Sequence, residues 1–445
     1  IRFIPDFIIR QKFDSVNSAI STASIVIFST SIVFTVVFFF ASSFIAMNVF
    51  GNYWLTPVLQ YMIATFPLIG VSVIIDWILS GFQRFGLAMV VRMVFTSVYL
   101  VFVVIFLGFG FSIEGVIYAF ILGYTVSGLV GFVFFLKVKR KVVKSKGKFK
   151  IFDFGLFKEM FNFGKWHYGM SFIDLGFTRF NELIIGMVLI VNVLAVYRIS
   201  QTFASILGYV GMALASTLNP YLSELTAIKK EKVAINKLKS STNYSLILSL
   251  LFSAPIIVFA YQILELFFTQ EYFSGADPLK ILIIGFIIAN ISRPVGSYFF
   301  AKKKLWVNFS ILAISLFTGV TTTYLLIPLF SMNGLNQYGG VIGAAIGFTL
   351  GWIVNIILFA YFTERYFNIK ILEKNSAIWA TIFIVGISAL ALLTKISFGL
   401  SVFGLIIFEI ALAFKYRNEL LKFAKTAETY LLPSQKKVIM SNEEK

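Results

Sequence analysis

Residues 165–188 crowd Lys165, His167, Asp174, Arg179, Asn181 and Glu182 into an otherwise apolar stretch. In lipid, each charge at mid-membrane costs about 2.5–3.5 kcal/mol on insertion scales, so each calls for a partner or a wet cavity. On a helix Asp174, Thr178 and Glu182 fall at i, i+4 and i+8 on one face, and Arg179 and Glu182 at i, i+3 can pair. The next apolar stretch opens with Arg198, followed by Gln201, Thr202 and Ser205. Arg198, Gln201 and Ser205 again share a face. Two readings compete. In one, Arg179, Arg198, Asp174, Asn181, Glu182, Gln201 and Ser205 line a cavity and bind a polar substrate. In the other, the charges only neutralise one another between helices. The first is preferred because intramembrane charge marks function by default. Asp76 and Arg293 form a second constellation: opposite charges in the cytoplasmic third of two spans, suited to a gate. Local satisfaction of Asp76 by Arg84 or Arg92 is the favoured alternative, because snorkelling is cheap near a span end.

Other chemistry is excluded by what the chain lacks. Cysteine is absent and His167 is the single histidine, so there is no disulfide, no thiol nucleophile and no multi-histidine metal centre. No Walker motif and no Ser-His-Asp set is present. The chain reads as a non-enzyme without cofactor or metal. A membrane glycan polymerase or ligase would need sizeable outward loops with catalytic groups. Here those loops are short, and Glu271 with Asp277 is their only acidic cluster. His167, beside Trp166 and Tyr168, reads as an interfacial anchor.

The elements that must position these residues are membrane helices. Hydrophobic residues make up 59% and charged residues 13%, against roughly 25% charged for a soluble domain. The apolar runs are continuous rather than alternating, so backbone satisfaction in lipid demands helices. Twelve spans are predicted, near 20–47, 57–80, 87–108, 114–136, 165–188, 197–218, 241–268, 279–301, 305–329, 338–362, 377–394 and 398–414. Most of the 38 Lys and Arg lie in alternate connections, whereas the other set carries only Lys395. This positive-inside pattern puts residue 1 and the C-terminus in the cytoplasm of a multi-pass cell (plasma or inner) membrane protein. The net charge of +18 is accounted for by loops facing an anionic leaflet, so nucleic acid is not a partner. Residues 151–163 read as a short amphipathic interfacial helix ahead of a span. Pro67, Pro255 and Pro294 permit bends. Gly340, Gly343, Ala344 and Gly347 form a small-residue face suited to helix packing.

Residues 24–105 resemble 242–323 at a constant offset of 218, which becomes 225 past residues 330–338. Both copies have the same orientation, as in transporters built from two lobes around a central cavity. The second copy is preceded by two spans with no counterpart in the first. The full-length protein is therefore expected to carry two more N-terminal helices: fourteen spans, in two six-helix lobes and a final pair. The organisation read from this is an N-terminal lobe with its basic linker over 1–150 and a C-terminal lobe with its leading interfacial helix over 151–363. A C-terminal helix pair over 364–416 and a basic, partly disordered tail over 417–445 complete it.

The segments IRFIPDFI, FNFGKWHYGMSFIDLGFTRFNELIIG, VLAVYRISQTFASIL, ALASTLNPYLSEL, FFTQEYFSGADPLKIL and IPLFSMNGLNQYGGVIGAAIGFTLG are typical of one family. Across nearly its whole length the chain resembles the O-antigen-type polysaccharide-biosynthesis flippases of the multidrug/oligosaccharidyl-lipid/polysaccharide exporter superfamily. The resemblance implies twelve to fourteen helices. It also implies alternating-access transfer of a polyprenyl-(di)phosphate-linked oligosaccharide from the cytoplasmic to the outer leaflet. In that setting Arg179 and Arg198 suit phosphate oxygens, and Asp174, Asn181, Gln201 and Ser205 suit sugar hydroxyls. Asp174 and Glu182 are candidates for a coupling proton or sodium ion. The implied partners are the lipid-linked oligosaccharide, membrane lipids and, as candidates, the glycan-assembly enzymes. The charge of this wall is mixed, which departs from a purely cationic cavity. The alternatives are a cation-coupled drug or metabolite exporter, which would want few basic cavity residues and an isolated carboxylate, then the polymerase or ligase, then a scaffold without functional charge.

Overall fold

The computed structural model describes residues 3–9, 11–142, 150–332, 336–371, 387, 397–417 and 421. Among these residues every regular element is helical, and nine helical runs are long and apolar enough to cross a membrane. The protein is thus an all-helical, multi-pass membrane protein. The chain forms two compact units, Ile1–Lys165 and Trp166–Lys445. The predicted span 377–394 falls outside the described residues, as does nearly all of the tail.

The first unit holds α1 (Phe3–Ile9), α2 (Phe13–Phe44, prolonged by a π turn at Ile45–Val49), α3 (Leu55–Ala64), α4 (Phe66–Gly81), α5 (Phe85–Gly108) and α6 (Ile113–Val142). The expected span 57–80 is two helices, not one. Pro67, in the first turn of α4, has no N–H to continue the ladder, and the Thr65 hydroxyl donates back to the Met62 carbonyl at 2.6 Å. The apolar core of this unit gathers Val16, Ile20, Ile75, Leu79 and Val91.

Helix α7 (Phe154–Val188) runs unbroken through the stretch where a separate interfacial helix over 151–163 is expected. No proline interrupts it, and Asp153 fixes where it starts. The Leu156 N–H donates to Asp153 Oδ1 at 3.1 Å, and the Phe157 N–H to the Asp153 carbonyl at 2.9 Å. The segment just before it is tied to α2: the Lys150 N–H donates to Ser18 Oγ, the Asp153 N–H to Thr22 Oγ1, and the Ser21 hydroxyl to the Ile151 carbonyl. The Leu156 N–H, and next to it Lys150, hold the Asp153 carboxyl below its usual range. A depressed native pKa contributes stability above the unfolded value, and that stability is lost as pH falls through the native one. Asp153→Ala is therefore expected to lower the melting temperature at neutral pH, with the difference from wild type shrinking as pH falls through the depressed native pKa. Thermal melts at two pH values check it, and an acid-insensitive difference would refute the cap.

The second unit continues from Trp166 in α7. It contains α8 (Val191–Ala227), α9 (Glu231–Val258), α10 (Ala260–Phe267), a 3-10 turn at Gln270–Gly275, α11 (Ala276–Ala301), α12 (Leu305–Met332), α13 (Asn336–Phe367) and α14 (Phe398–Lys415). The expected span 241–268 breaks at Phe259, just beyond Pro255. Pro294 and Pro328 sit inside α11 and α12 without ending them. Tyr197, Leu207, Leu264, Leu282 and Phe348 are fully buried at the centre of the core. α12 and α13 pack with almost nothing between them. A Cβ added at Gly343 would meet the Leu326 carbonyl oxygen at 2.6 Å, and one at Gly347 would meet the Thr323 amide nitrogen at 2.6 Å. The small-residue face therefore packs helices, as expected.

Candidate functional site

α7 and α8 bring three of the predicted residues, Arg179, Arg198 and Glu182, together around one carboxylate. Glu182 accepts from Arg179 Nη1, one turn earlier on α7, at 3.1 Å on Oε2. The same Oε2 accepts from Arg198 Nη1 on α8. The Glu182 side chain is only 14% exposed, whereas the arginine side chains are 48% and 51% exposed. The carboxylate thus lies beneath the two guanidiniums, and the guanidiniums form the accessible surface. Two guanidiniums already neutralise the Glu182 carboxylate. Around them, Thr202, Ile206 and Tyr209 continue the exposed stripe of α8.

Asn181 and Gln201 do not join that surface. Asn181 is 4% exposed and Gln201 5%. Asn181 Oδ1 accepts from the Thr323 hydroxyl of α12 at 3.0 Å, and its Nδ2 donates to Tyr197 Oη at 3.4 Å. Gln201 Nε2 donates across to the Thr178 carbonyl at 3.1 Å. In this structure both side chains hold α7 against its neighbours rather than facing the arginine surface. Ser205 is half-buried and donates to the Thr202 carbonyl at 2.8 Å.

Asp174 is exposed on α7, and its charge acts on Arg293 of α11. The stem of Arg293 runs past Gly211 of α8, where an added Cβ would lie 3.0 Å from Arg293 Cδ. One turn earlier on α11, the wholly buried Asn290 donates from Nδ2 to the Leu207 carbonyl and to Ser249 Oγ, both at 2.9 Å. Tyr197, Thr323 and Asn290 were not singled out from sequence. Asn290 stands in an apolar run, but Tyr197 adjoins Arg198 and Thr323 closes a run of three threonines, so the sequence does not separate those two from their neighbours.

Asp76 is satisfied within its own unit, and Arg293 lies within the field of Asp174 in the other. Arg92 grips Asp76 with a full fork, Nε to Oδ1 at 2.9 Å and Nη2 to Oδ2 at 2.7 Å. Local pairing, the alternative to a gate, is what this carboxylate does. The pair is asymmetric, since the Asp76 side chain is 14% exposed and Arg92 69%. Arg92→Ala strands the sheltered carboxylate and is expected to cost about 1–3 kcal/mol. Asp76→Asn leaves an exposed guanidinium rather than a sheltered charge and is expected to cost less. Melting temperatures of the two variants check the order, and equal losses would contradict it.

This helical arrangement is that of a membrane transporter fold. The chain aligns with a lipid II flippase, MurJ, in its inward closed conformation (TM-score 0.67, 14% identity, 94% of this chain and 91% of that one). It also aligns with an inward-facing multidrug resistance MATE family transporter of the MOP superfamily (TM-score 0.63, 15% identity, 82% and 84% coverage). The family model for polysaccharide biosynthesis proteins matches residues 4–277, and the chain belongs to that family. Among curated relatives, the lipopolysaccharide biosynthesis protein WzxC of Escherichia coli K12 is 25% identical over 54% of this chain and 46% of its own length. The putative O-antigen transporter of Shigella flexneri is 22% identical over 67% and 68%. The probable low-salt glycan biosynthesis flippase Agl15 of Haloferax volcanii is 22% identical over 51% and 46%. The chain thus spans about half the length of two of these relatives and about two thirds of the third.

Proposed function

We propose that the protein is a flippase that moves polyprenyl-(di)phosphate-linked oligosaccharide from the cytoplasmic to the outer leaflet of the cell membrane by alternating access. One observation carries this reading. Arg179 and Arg198 present two exposed guanidiniums side by side, where a phosphate group could accept from both, in a chain of the polysaccharide biosynthesis family. Asp174 and Ser205 border them and are the remaining candidates for sugar hydroxyls. Asp174, which faces Arg293, is the better of the two carboxylates for a coupling proton or sodium ion. The glycan-assembly enzymes would act on either side of the transfer step. Neither the reading nor the site requires a cofactor or catalysis.

The proposal includes two parallel six-helix lobes, over 1–150 and 151–363, then a helix pair over 364–416 and a cytoplasmic tail over 417–445. There would be twelve spans in this sequence and fourteen in the full-length protein. Turn geometry supports the repeat. α1 ends in a left-handed residue, Gln11, with the Lys12 N–H donating to the Phe7 carbonyl. α8 ends in left-handed Lys229, with the Lys230 N–H donating to the Leu225 carbonyl, each atom pair at the 218-residue offset. Gln83 and Lys303 close α4 and α11 by the same two-bond motif at a separation of 220 residues, so the register shifts by two from the offset of 218 at this turn.

The test is leaflet exchange of a fluorescent polyprenyl-diphosphate oligosaccharide in proteoliposomes containing the full-length protein. Exchange above that of empty liposomes supports the reading. No exchange, together with uptake of a small cationic dye under a proton or sodium gradient, would replace it with the exporter reading that the MATE-like fold allows.

A further inference from the structure

We propose that Glu182 is a resident counter-anion: a ligand binds by taking Arg179 and Arg198 away from it, and in doing so releases the ion pair that ties α7 to α8. This rests on the reading above and assigns Glu182 a positioning and selectivity role within that site.

The contrast with Arg92 carries the argument. Arg92 meets Asp76 through two nitrogens on two oxygens, the geometry that gives a guanidinium–carboxylate pair its strength. Arg179 and Arg198 each reach Glu182 through Nη1 alone: Arg179 Nη1 straddles both carboxylate oxygens, Oε2 at 3.1 Å and Oε1 at 3.3 Å, and Arg198 bonds to the same Oε2. Neither guanidinium makes its fork contact with Glu182, and both are about half exposed. Single-nitrogen contacts are weaker than forked ones, so exchange for a better acceptor is inexpensive. A phosphoryl group offers several oxygens and can give each arginine a two-point contact, which the crowded carboxylate beneath them does not. In the unliganded protein Glu182 prevents two neighbouring cations from repelling each other in a low-dielectric setting. Once an anion arrives, the same carboxylate competes with it. Arg198 is the α8 partner of Glu182, so its capture changes how α7 is fastened to α8. Ligand occupancy is thereby linked to helix position.

The experiment uses the full chain in nanodiscs and a fluorescent short-chain polyprenyl diphosphate as probe, comparing wild type, Glu182→Gln and Arg179→Ala/Arg198→Ala. Removing the competing charge is expected to tighten binding about tenfold, while the double arginine variant loses it. A folded Glu182→Gln protein that binds no better than wild type overturns the counter-anion, because a carboxylate that merely orients the arginines would weaken binding when neutralised. A second measurement does not depend on that variant. The chain has no cysteine, so Leu175→Cys and Ile206→Cys, at exposed positions on α7 and α8, can carry spin labels. The probe is expected to change their distance distribution, and an unchanged distribution at saturation counts against release of the α7–α8 tie. Failure of the underlying site reading looks different: wild type and the arginine variant then bind the probe equally or not at all, and the counter-anion falls with it.

Discussion

Gly347→Ala is expected to be the most damaging single-methyl change in the second unit. An added Cβ would lie 2.2 Å from Thr323 Oγ1, 2.6 Å from the Thr323 amide nitrogen and 2.7 Å from its Cα. A side chain could rotate away, but two of those three atoms are backbone, so α12 and α13 must move apart. Their crossing is built on such contacts: Gly343 lies on the Leu326 carbonyl, and a Cβ at Gly351 would sit 3.1 Å from Gly319 Cα. Between membrane helices no hydrophobic effect restores lost packing, since lipid tails are as apolar as side chains, so close backbone approach is itself the stabilising term. Overpacking costs about 1–3 kcal/mol where side chains can yield, and the backbone clash puts Gly347→Ala at or above the upper end. The damage also reaches the site. The displaced Thr323 hydroxyl is the donor to Asn181 Oδ1, which holds α7 in place. Melting temperature in detergent reads the effect, with Gly86→Ala as control because nothing lies within 4 Å of its added Cβ. If the two variants melt alike, the α12–α13 crossing is not the close contact described.

Helix positions were legible in the sequence because an apolar run of membrane-spanning length has one stable form in lipid. Pairing of Arg179 with Glu182 was legible too, since helical spacing fixes which residues of one helix meet. Arg198 joining the same oxygen was not, because spacing on α8 says nothing about rotation against α7. The same limit explains Asn181 and Gln201. A polar side chain in a membrane helix needs a partner, and a wet cavity or a neighbouring helix supplies one equally well. The sequence signal for the two cases is therefore the same. Only the observed bonds to Thr323, Tyr197 and the Thr178 carbonyl separate them. The continuity of α7 was hidden for a different reason. Its first turns are amphipathic and its later ones apolar, so the pattern changes along a helix that the Asp153 cap starts once and no proline ends.

Arg179→Ala/Arg198→Ala is expected to abolish leaflet exchange of the lipid-linked oligosaccharide. A hydrogen bond to a charged group contributes about 1.5–3 kcal/mol, so losing one such contact from each arginine predicts a fall of about two orders of magnitude or more. Lysine at both positions should recover part of the rate, because it restores the charge but not the planar fork. Loss of folding could imitate this result, and the structure shows how. Without its arginines Glu182, 14% exposed, becomes a sheltered carboxylate with no counter-charge. Adding Glu182→Gln to the double variant removes that stranded charge and should return the melting temperature towards wild type. If the arginines bind substrate, exchange stays lost in the triple variant. If they serve only to neutralise Glu182, exchange returns with stability. Measuring initial exchange rate and melting temperature on the same three preparations therefore separates a binding pair from a structural one, and wild-type exchange in the triple variant would remove Arg179 and Arg198 from the substrate path.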